Sequence, residues 1–260
     1  EEKTSQGVNL IQELLKCPIG QEWTLLLANY HILNSELVNQ MLTELAATNL
    51  KQEDKSEWLR HIAEYANTFL NIPLDNTKPF QKYINLLREI FLVFYRGGGK
   101  EQVYSIFLQN LDKLDLNFGK AITLWMVRTF PTCTKQEMLS IANGIIDLSN
   151  FILEFSHGNK PENVEIAILG YQTIIILFSK QEFSEQDFSE KWAIALNNMS
   201  YALWFRETGI KENLEVAICA CKLALQVFTE GKFPRDWAKT QTSLGIMYLY
   251  RIKGDRKENI

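Results

Sequence analysis

The chain has 260 residues, of which 46% are hydrophobic and 22% charged, enough apolar material to bury a core, and this composition argues against a disordered chain. A net charge of -4 without any basic run argues against nucleic acid as a partner, because phosphate binding needs clustered lysine and arginine. Glycine and proline are few, whereas aromatic residues make up 12%, and this balance favours packed helices over strands and turns.

The cysteine pattern and the lack of a leader indicate a reducing, cytoplasmic compartment. The four cysteines are scattered without the spacing of a disulfide framework, and no charged-then-apolar leader opens the chain. The most apolar stretch, residues 164–178, is interrupted by Glu165, Gly170 and Gln172, and it is too short to cross roughly 30 Å of hydrocarbon. We therefore predict a buried helix there and no membrane contact.

Apolar residues recur at spacings of three and four along almost the whole chain, which predicts an all-α protein. In chain order the predicted helices cover residues 5–16, 21–31, 35–48, 54–71, 79–96, 100–113, 117–129, 135–157, 163–180, 188–206, 213–229 and 236–251. The run of residues 90–95 is apolar on every side of its helix, which predicts a core position.

Several helix ends carry chemical signals. Thr134 and Glu137 have the spacing of a capping box, and Pro79 stands where a first helical turn tolerates a missing N–H. The motif Gly97-Gly98-Gly99-Lys100 resembles part of a phosphate loop, but Glu101 follows the lysine and a helix precedes it. We interpret it as a hinge.

Two sequence blocks recur near the C-terminal end. Glu162-Asn163-Val164-Glu165 returns fifty residues later as Glu212-Asn213-Leu214-Glu215, and Glu258-Asn259-Ile260 begins it again. The block 192–206 corresponds to 237–251 at a spacing of 45 residues. We predict a stacked array of two-helix units, because neither helix of a unit can bury its apolar stripe alone.

Individual residues have expected roles within each unit. We expect Asn213 to be the N-cap of its helix and Glu215 to favour the positive end of the helix dipole. Gly245 is expected to let a neighbouring helix approach closely, since it has no side chain.

The motif Leu244-Gly245-x-x-Tyr248, together with Ala217 and Ala224 on the second helix, resembles the tetratricopeptide repeat, and the stretch 251–260 looks like the elongated cyanobacterial type. The pattern departs from that repeat, since Gln241 stands where tryptophan is usual and the unit exceeds 34 residues. The resemblance implies an α-α superhelix, a tetratricopeptide-like solenoid, with an N-terminal helical region packed against it.

The N-terminal segment resembles the same family independently. The residues that carry this resemblance are Asn9-Leu10-Ile11, Leu14-Leu15, Cys17-Pro18-x-Gly20, Asn34, Leu37-Val38, Met41, Trp58-Leu59 and Ile62-Ala63. Many such proteins end in a caspase-like CHAT protease domain, so the resemblance implies an adaptor arm that regulates an effector beyond residue 260. The expected organisation is an N-terminal helical region at 1–97, connecting helices at 98–160 and repeats at 161–260.

A non-catalytic surface that binds a protein or peptide is the function that the sequence favours. If the first helices of each unit line the inner curve, as the resemblance implies, eight residues face a groove: Asn197, Asn198, Tyr201, Trp204, Lys239, Thr242, Ile246 and Tyr250. Asparagine can bond a peptide backbone, and aromatic rings are frequent binding anchors. The alternative is that the aromatic residues pack between units and the amides are merely solvated.

Catalytic, metal and cofactor sites find little support in the sequence. His61 and Glu64 share a helical face, but no second pair completes a metal site, so we interpret the pair as part of a surface helix. Cys219 and Cys221 point to different sides of their helix and are expected in the core. Cys17 has no histidine near it in sequence. Two alternatives stay open: an enzyme with its site in residues 72–160, and a self-assembling structural solenoid.

Overall fold

The computed structural model describes residues 2–17, 53–70, 78–178 and 186–251, with the isolated positions Glu22, Leu25, Leu26 and Gln40. Within these residues the chain forms helices and no β-strand, which confirms the all-α prediction. The helices are α1 Glu2–Lys16, α2 Glu53–Leu70, α3 Gln81–Tyr95, α4 Lys100–Gln109, α5 Leu116–Thr129, α6 Lys135–Glu154, α7 Lys160–Leu177, α8 Gln186–Trp204, α9 Ile210–Val227 and α10 Pro234–Tyr250. Most of the helices predicted at 21–31 and 35–48 lie outside the described residues.

Helix α7 lies at the centre of the packing and contacts α5, α6 and α8. Almost every side chain from Asn163 to Ile176 is buried, which confirms the prediction of a buried helix. Neighbours on three sides cover most of the helix, so it needs no polar stripe. Several of its polar side chains are paired with neighbouring helices, as in the buried contact of 2.8 Å between the Thr123 and Thr173 hydroxyl groups.

Helix α2 of the N-terminal region packs against α9. Its buried apolar residues include Trp58, Leu59 and Ile62. The ring of His61 also reaches α7, where its Nε2 lies 2.5 Å from Nε2 of Gln172. The N-terminal region therefore shares one hydrophobic core with the helices of the repeated blocks.

The predicted cap of α6 is confirmed. The Thr134 hydroxyl accepts from the backbone N–H of Glu137, and the Glu137 carboxylate accepts from the backbone N–H of Thr134 at 2.7 Å. Pro79 lies in a short 3-10 turn, Lys78–Phe80, that leads into α3. The capping box forms within a single helical turn, which explains why the sequence suffices to find it.

The prediction of Asn213 as an N-cap is wrong, because α9 begins three residues earlier, after Gly209. Asn213 lies buried in the first turn, and its side-chain amide donates to the Thr208 carbonyl at 2.6 Å. Asn163 does the same in α7, donating to the His157 carbonyl at 3.1 Å. The repeated asparagine thus fastens the preceding loop to each helix.

The core position predicted for residues 90–95 is only partly correct. Ile90 is fully buried, but Leu92 is 52% exposed and Tyr95 is 90% exposed. Helix α3 contacts α4 and α5. The apolar run continues around the helix onto a side that faces solvent.

The close approach expected at Gly245 is not seen, since nothing in the described part of the chain lies within 4 Å of where its Cβ would be. Close approach occurs instead at Gly119 on α5, where an added Cβ would lie 2.6 Å from Leu169 Cδ1 and 3.4 Å from Ile166 Cα. Gly119 favours the close contact of α5 with α7, because an added Cβ would overlap Leu169 Cδ1 and would also crowd Leu169 Cβ at 3.3 Å, an atom that no side-chain rotation can move.

We expect Gly119→Val to lower the free energy of unfolding by about 2 kcal/mol, because the added methyl groups overpack the α5–α7 contact. The matched change Gly245→Ala should raise it by about 0.5 to 1 kcal/mol, since an exposed helical glycine only loses backbone entropy. Urea unfolding followed by circular dichroism measures both. Equal effects of the two substitutions would contradict this assignment of the close contact.

Candidate binding groove between three helices

Three helices form a groove, since α8 contacts both α6 and α10 and all three contribute side chains to its lining. The groove encloses about 840 Å³. Its apolar floor is formed by Ile146, Leu153, Ile194 and Phe228, and its polar walls are formed by Asn143, Asp147, Asn150, Glu154, Tyr171, Asn197, Asn198, Tyr201, Asp236, Lys239, Thr240, Thr242 and Ser243. A volume of this size matches an ordinary ligand cleft.

Five of the eight predicted site residues line this groove together: Asn197, Asn198, Tyr201, Lys239 and Thr242. The other three do not line it. Ile246 is partly buried against the core, and the Trp204 ring packs on the Tyr250 ring with 5.6 Å between centroids. Tyr201, Trp204 and Phe205 contact each other as well, so the aromatic residues form a patch that continues the groove toward the C-terminal ends of α8 and α10.

The wall contributed by α6 was not predicted from the sequence, because α6 falls in the stretch assigned to connecting helices. Asn143, Asp147, Asn150 and Glu154 are spaced by four, three and four residues, so they follow one face of the helix. That polar stripe on an otherwise apolar helix was the available signal. It was hidden because α6 does not share the repeated sequence blocks.

Two side-chain amides that line the groove, Asn150 on α6 and Asn198 on α8, are hydrogen-bonded to each other. Asn150 Oδ1 accepts from the Tyr171 hydroxyl at 2.6 Å and from Asn198 Nδ2 at 3.1 Å. Burial raises the pKa of Tyr171 well above its ordinary value, so its hydroxyl stays protonated and can donate. Within the described residues, the Asn150 amide N–H groups and Asn198 Oδ1 make no other hydrogen bond, which leaves one donor group and one acceptor side by side.

The neighbouring Asn197 adds an unpaired acceptor. Its Oδ1 is buried, and no hydrogen-bond partner for it lies within the described residues. A buried acceptor without a partner costs about 1 to 3 kcal/mol. The wall of the groove therefore holds polar groups that the described chain does not satisfy.

The charges of the groove differ in how they are paired. Lys239 lies 3.8 Å from Asp236 on its own helix, and Lys100 reaches Glu154 at 2.5 Å. Asp147 has no hydrogen bond or ion pair within the described residues. Partial desolvation by the groove walls raises the pKa of the Asp147 carboxyl group, and the more distant positive charge of Lys191 opposes this.

A second polar cluster lies where α2 meets α7 and α9. His61, interpreted from sequence as part of a surface helix, is buried, whereas Glu64 is exposed. That interpretation is wrong for His61 because α2 turns this face toward Gln172. Burial and then the nearby Arg206 charge lower the pKa of His61 to about 3, so the imidazole stays neutral. The described residues contain no group of three side chains able to hold a metal ion.

The repeated blocks carry a repeated ion pair. Arg206 donates to both carboxylate oxygens of Glu165 at 2.6 and 3.1 Å, and Arg251 donates to both oxygens of Glu215 at 2.7 Å. Each pair joins the last residue of one repeated block to a glutamate of the other block, so both kinds of block contribute to an equivalent contact in each unit. The expected position of Glu215 at the positive end of the helix dipole is wrong, because α9 begins at Ile210 and Glu215 lies beyond its first turn, where it pairs with Arg251.

The two neighbouring cysteines of α9 lie where the sequence predicts. Cys219 and Cys221 are buried, which confirms their core position, and burial raises the pKa of the Cys221 thiol to about 11. Cys17 donates weakly to the Leu14 carbonyl at the end of α1.

Among the helices that the structure describes, none is long and apolar enough to span a bilayer.

No family model, no curated protein and no solved structure matches this chain. The tetratricopeptide resemblance therefore stays a prediction from sequence. The chemistry of the groove itself is the basis on which a function can be assigned.

Proposed function

We propose that this chain is a non-catalytic interaction module whose groove between α6, α8 and α10 binds an extended peptide segment of a partner protein. The observation that carries the proposal is the Asn150–Asn198 amide pair, which offers a donor and an acceptor side by side at the groove. A peptide group carries the complementary acceptor and donor, so one peptide unit can bond to both side chains.

The apolar and aromatic residues of the groove suit the side chains of a bound peptide. The apolar floor, with Ile194 and Phe228, offers burial for a side chain, while Tyr201 at the edge offers a flat anchor that is already 44% exposed. Tyrosine and tryptophan are enriched among the residues that dominate binding energy. Main-chain bonding with pockets for side chains is a general mode of peptide recognition.

We further propose that the repeated helix pairs form a tetratricopeptide-type array that continues as a superhelix and serves a separate effector domain. Support comes from the sequence resemblance and from the contacts of α8 with both α6 and α10. Self-assembly of the array is the alternative. Light scattering of the purified chain separates the two, because a solenoid that assembles with itself gains mass as its concentration rises.

Selection from a library of random nonapeptides tests the proposed groove. We expect Asn198→Ala to weaken the binding of an enriched peptide about tenfold, because it removes one bond to the peptide and releases the orientation of Asn150. Tyr201→Ala is expected to weaken it by a similar or larger factor, since it removes an anchor. Fluorescence anisotropy with the labelled peptide gives the dissociation constants.

Matched controls are available elsewhere on the surface. Asn85→Ala removes an exposed asparagine on α3, and Tyr95→Ala removes an exposed tyrosine at the end of the same helix. Both control proteins should bind like the unchanged chain. Equal binding by all four variants, or an enriched peptide that is crosslinked to α3, would rule out the groove as the binding site.

A further inference from the structure

Among the described residues, one carboxylate of the groove has no cation within ion-pair distance. Asp147 lies on α6, three residues before Asn150, and it makes neither a hydrogen bond nor an ion pair within the described residues. The other carboxylates of the groove, Glu154 and Asp236, each have a lysine within 4 Å. Asp147 is exposed and, in the described part of the chain, unpaired, so a positive charge brought by a partner can reach it.

We infer that the groove selects a cationic peptide, with a lysine or arginine side chain seated against Asp147 while the backbone lies on the Asn150–Asn198 pair. This inference rests on the proposed peptide-binding function and adds the chemical class of the partner. It is carried by charge complementarity between the unpaired carboxylate and a basic side chain.

The distances on the helix suit this arrangement. Residues three apart on a helix have Cβ atoms about 5 to 6 Å apart, so Asp147 and Asn150 are immediate neighbours on the groove wall. The stem of lysine or arginine is long enough to cover such a distance from a backbone bonded at Asn150, with its methylene groups against the floor at Ile146. An acidic side chain at the same place would meet like charge.

Partial desolvation of the Asp147 carboxyl group also favours the binding of a cation beside it. The groove walls already remove part of the hydration of the carboxylate and thereby raise its pKa, and Lys191 only partly offsets this. A basic side chain that enters the groove would replace the lost water with a charge-assisted hydrogen bond. Such bonds are about twice as strong as neutral ones.

Two pools of acetylated, amidated nonapeptides test the inference, one with lysine and one with glutamate fixed at the centre and all other positions random. We expect the lysine pool to bind the unchanged chain about tenfold more tightly than the glutamate pool at low salt. Asp147→Asn should reduce this ratio to about twofold, and Asp147→Lys should invert it. Asp112→Asn, which alters an exposed carboxylate away from the groove, is the control and should leave the ratio unchanged.

The results of this experiment distinguish failure of the cationic preference from failure of the proposed peptide-binding function. Binding that depends on Asn198 but shows the same ratio in Asp147→Asn as in the unchanged chain would overturn the cationic preference and leave the peptide groove intact. No binding of either pool would overturn the peptide-binding function itself. Spermine that binds at Asp147 as tightly as the lysine pool, with no effect of Asn198→Ala, would show a small-cation site and so overturn the inference.

Discussion

Replacing Arg251 by methionine is expected to lower the free energy of unfolding by about 3 to 5 kcal/mol, the usual cost of breaking a buried ion pair from one side. The Glu215 side chain is only 2% exposed, and both of its oxygens accept from Arg251. Without Arg251 the carboxylate stays desolvated, and it also repels Glu57 on α2. Urea unfolding at neutral pH, followed by circular dichroism, measures the loss.

Two further variants make this experiment decisive. Arg206→Met breaks the matching pair with Glu165, whose side chain is 30% exposed, so we expect a loss of only about 1 kcal/mol because water can hydrate the carboxylate. The double change Arg251→Met and Glu215→Gln should recover more than half of the stability, since it removes the buried charge. Equal losses for the two arginine variants would contradict the argument from burial.

Acidification from pH 6.5 to pH 4.5 is expected to reduce stability through His61 by about 2.3 kcal/mol, because the loss reaches about 1.36 kcal/mol for each pH unit only once the unfolded imidazole is mostly protonated. The imidazole of the unfolded chain takes up a proton below its ordinary pKa of 6.5, while burial keeps the folded one from protonation until about pH 3. The unfolded state therefore binds more protons in this window. The stabilisation is complete above pH 6.5 and is lost as the pH falls toward 3.

The His61 contribution can be isolated by difference. Stability measured against pH for His61→Gln should have a shallower slope between pH 6.5 and 4.5 than the unchanged chain, because carboxylates titrate in both proteins. His157→Gln, which alters an exposed imidazole outside the α2 contact, is the matched control and should keep the full slope. A slope that does not change in His61→Gln would contradict the burial of this ring against α7.

The structural roles of the groove residues show where sequence reasoning reached its limit. The repeated blocks led to Asn197 and Asn198, and both line the groove. Asn150 and Tyr171 were missed, because their importance comes from a hydrogen bond between residues 48 positions apart and another between residues 21 apart. Periodicity cannot reveal such pairings, since it reports only which side of its own helix a residue occupies.

The sequence by itself determined the helical class, most helix positions and the cap at Thr134, because these depend on local spacing and on bonds within one turn. Only the tertiary structure decided that His61 is buried, that Gly119 rather than Gly245 brings helices together, and that Glu215 pairs with Arg251. These outcomes depend on which helices become neighbours. Helices become neighbours because together they bury their apolar stripes, so their pairing cannot be read from any single segment of the chain.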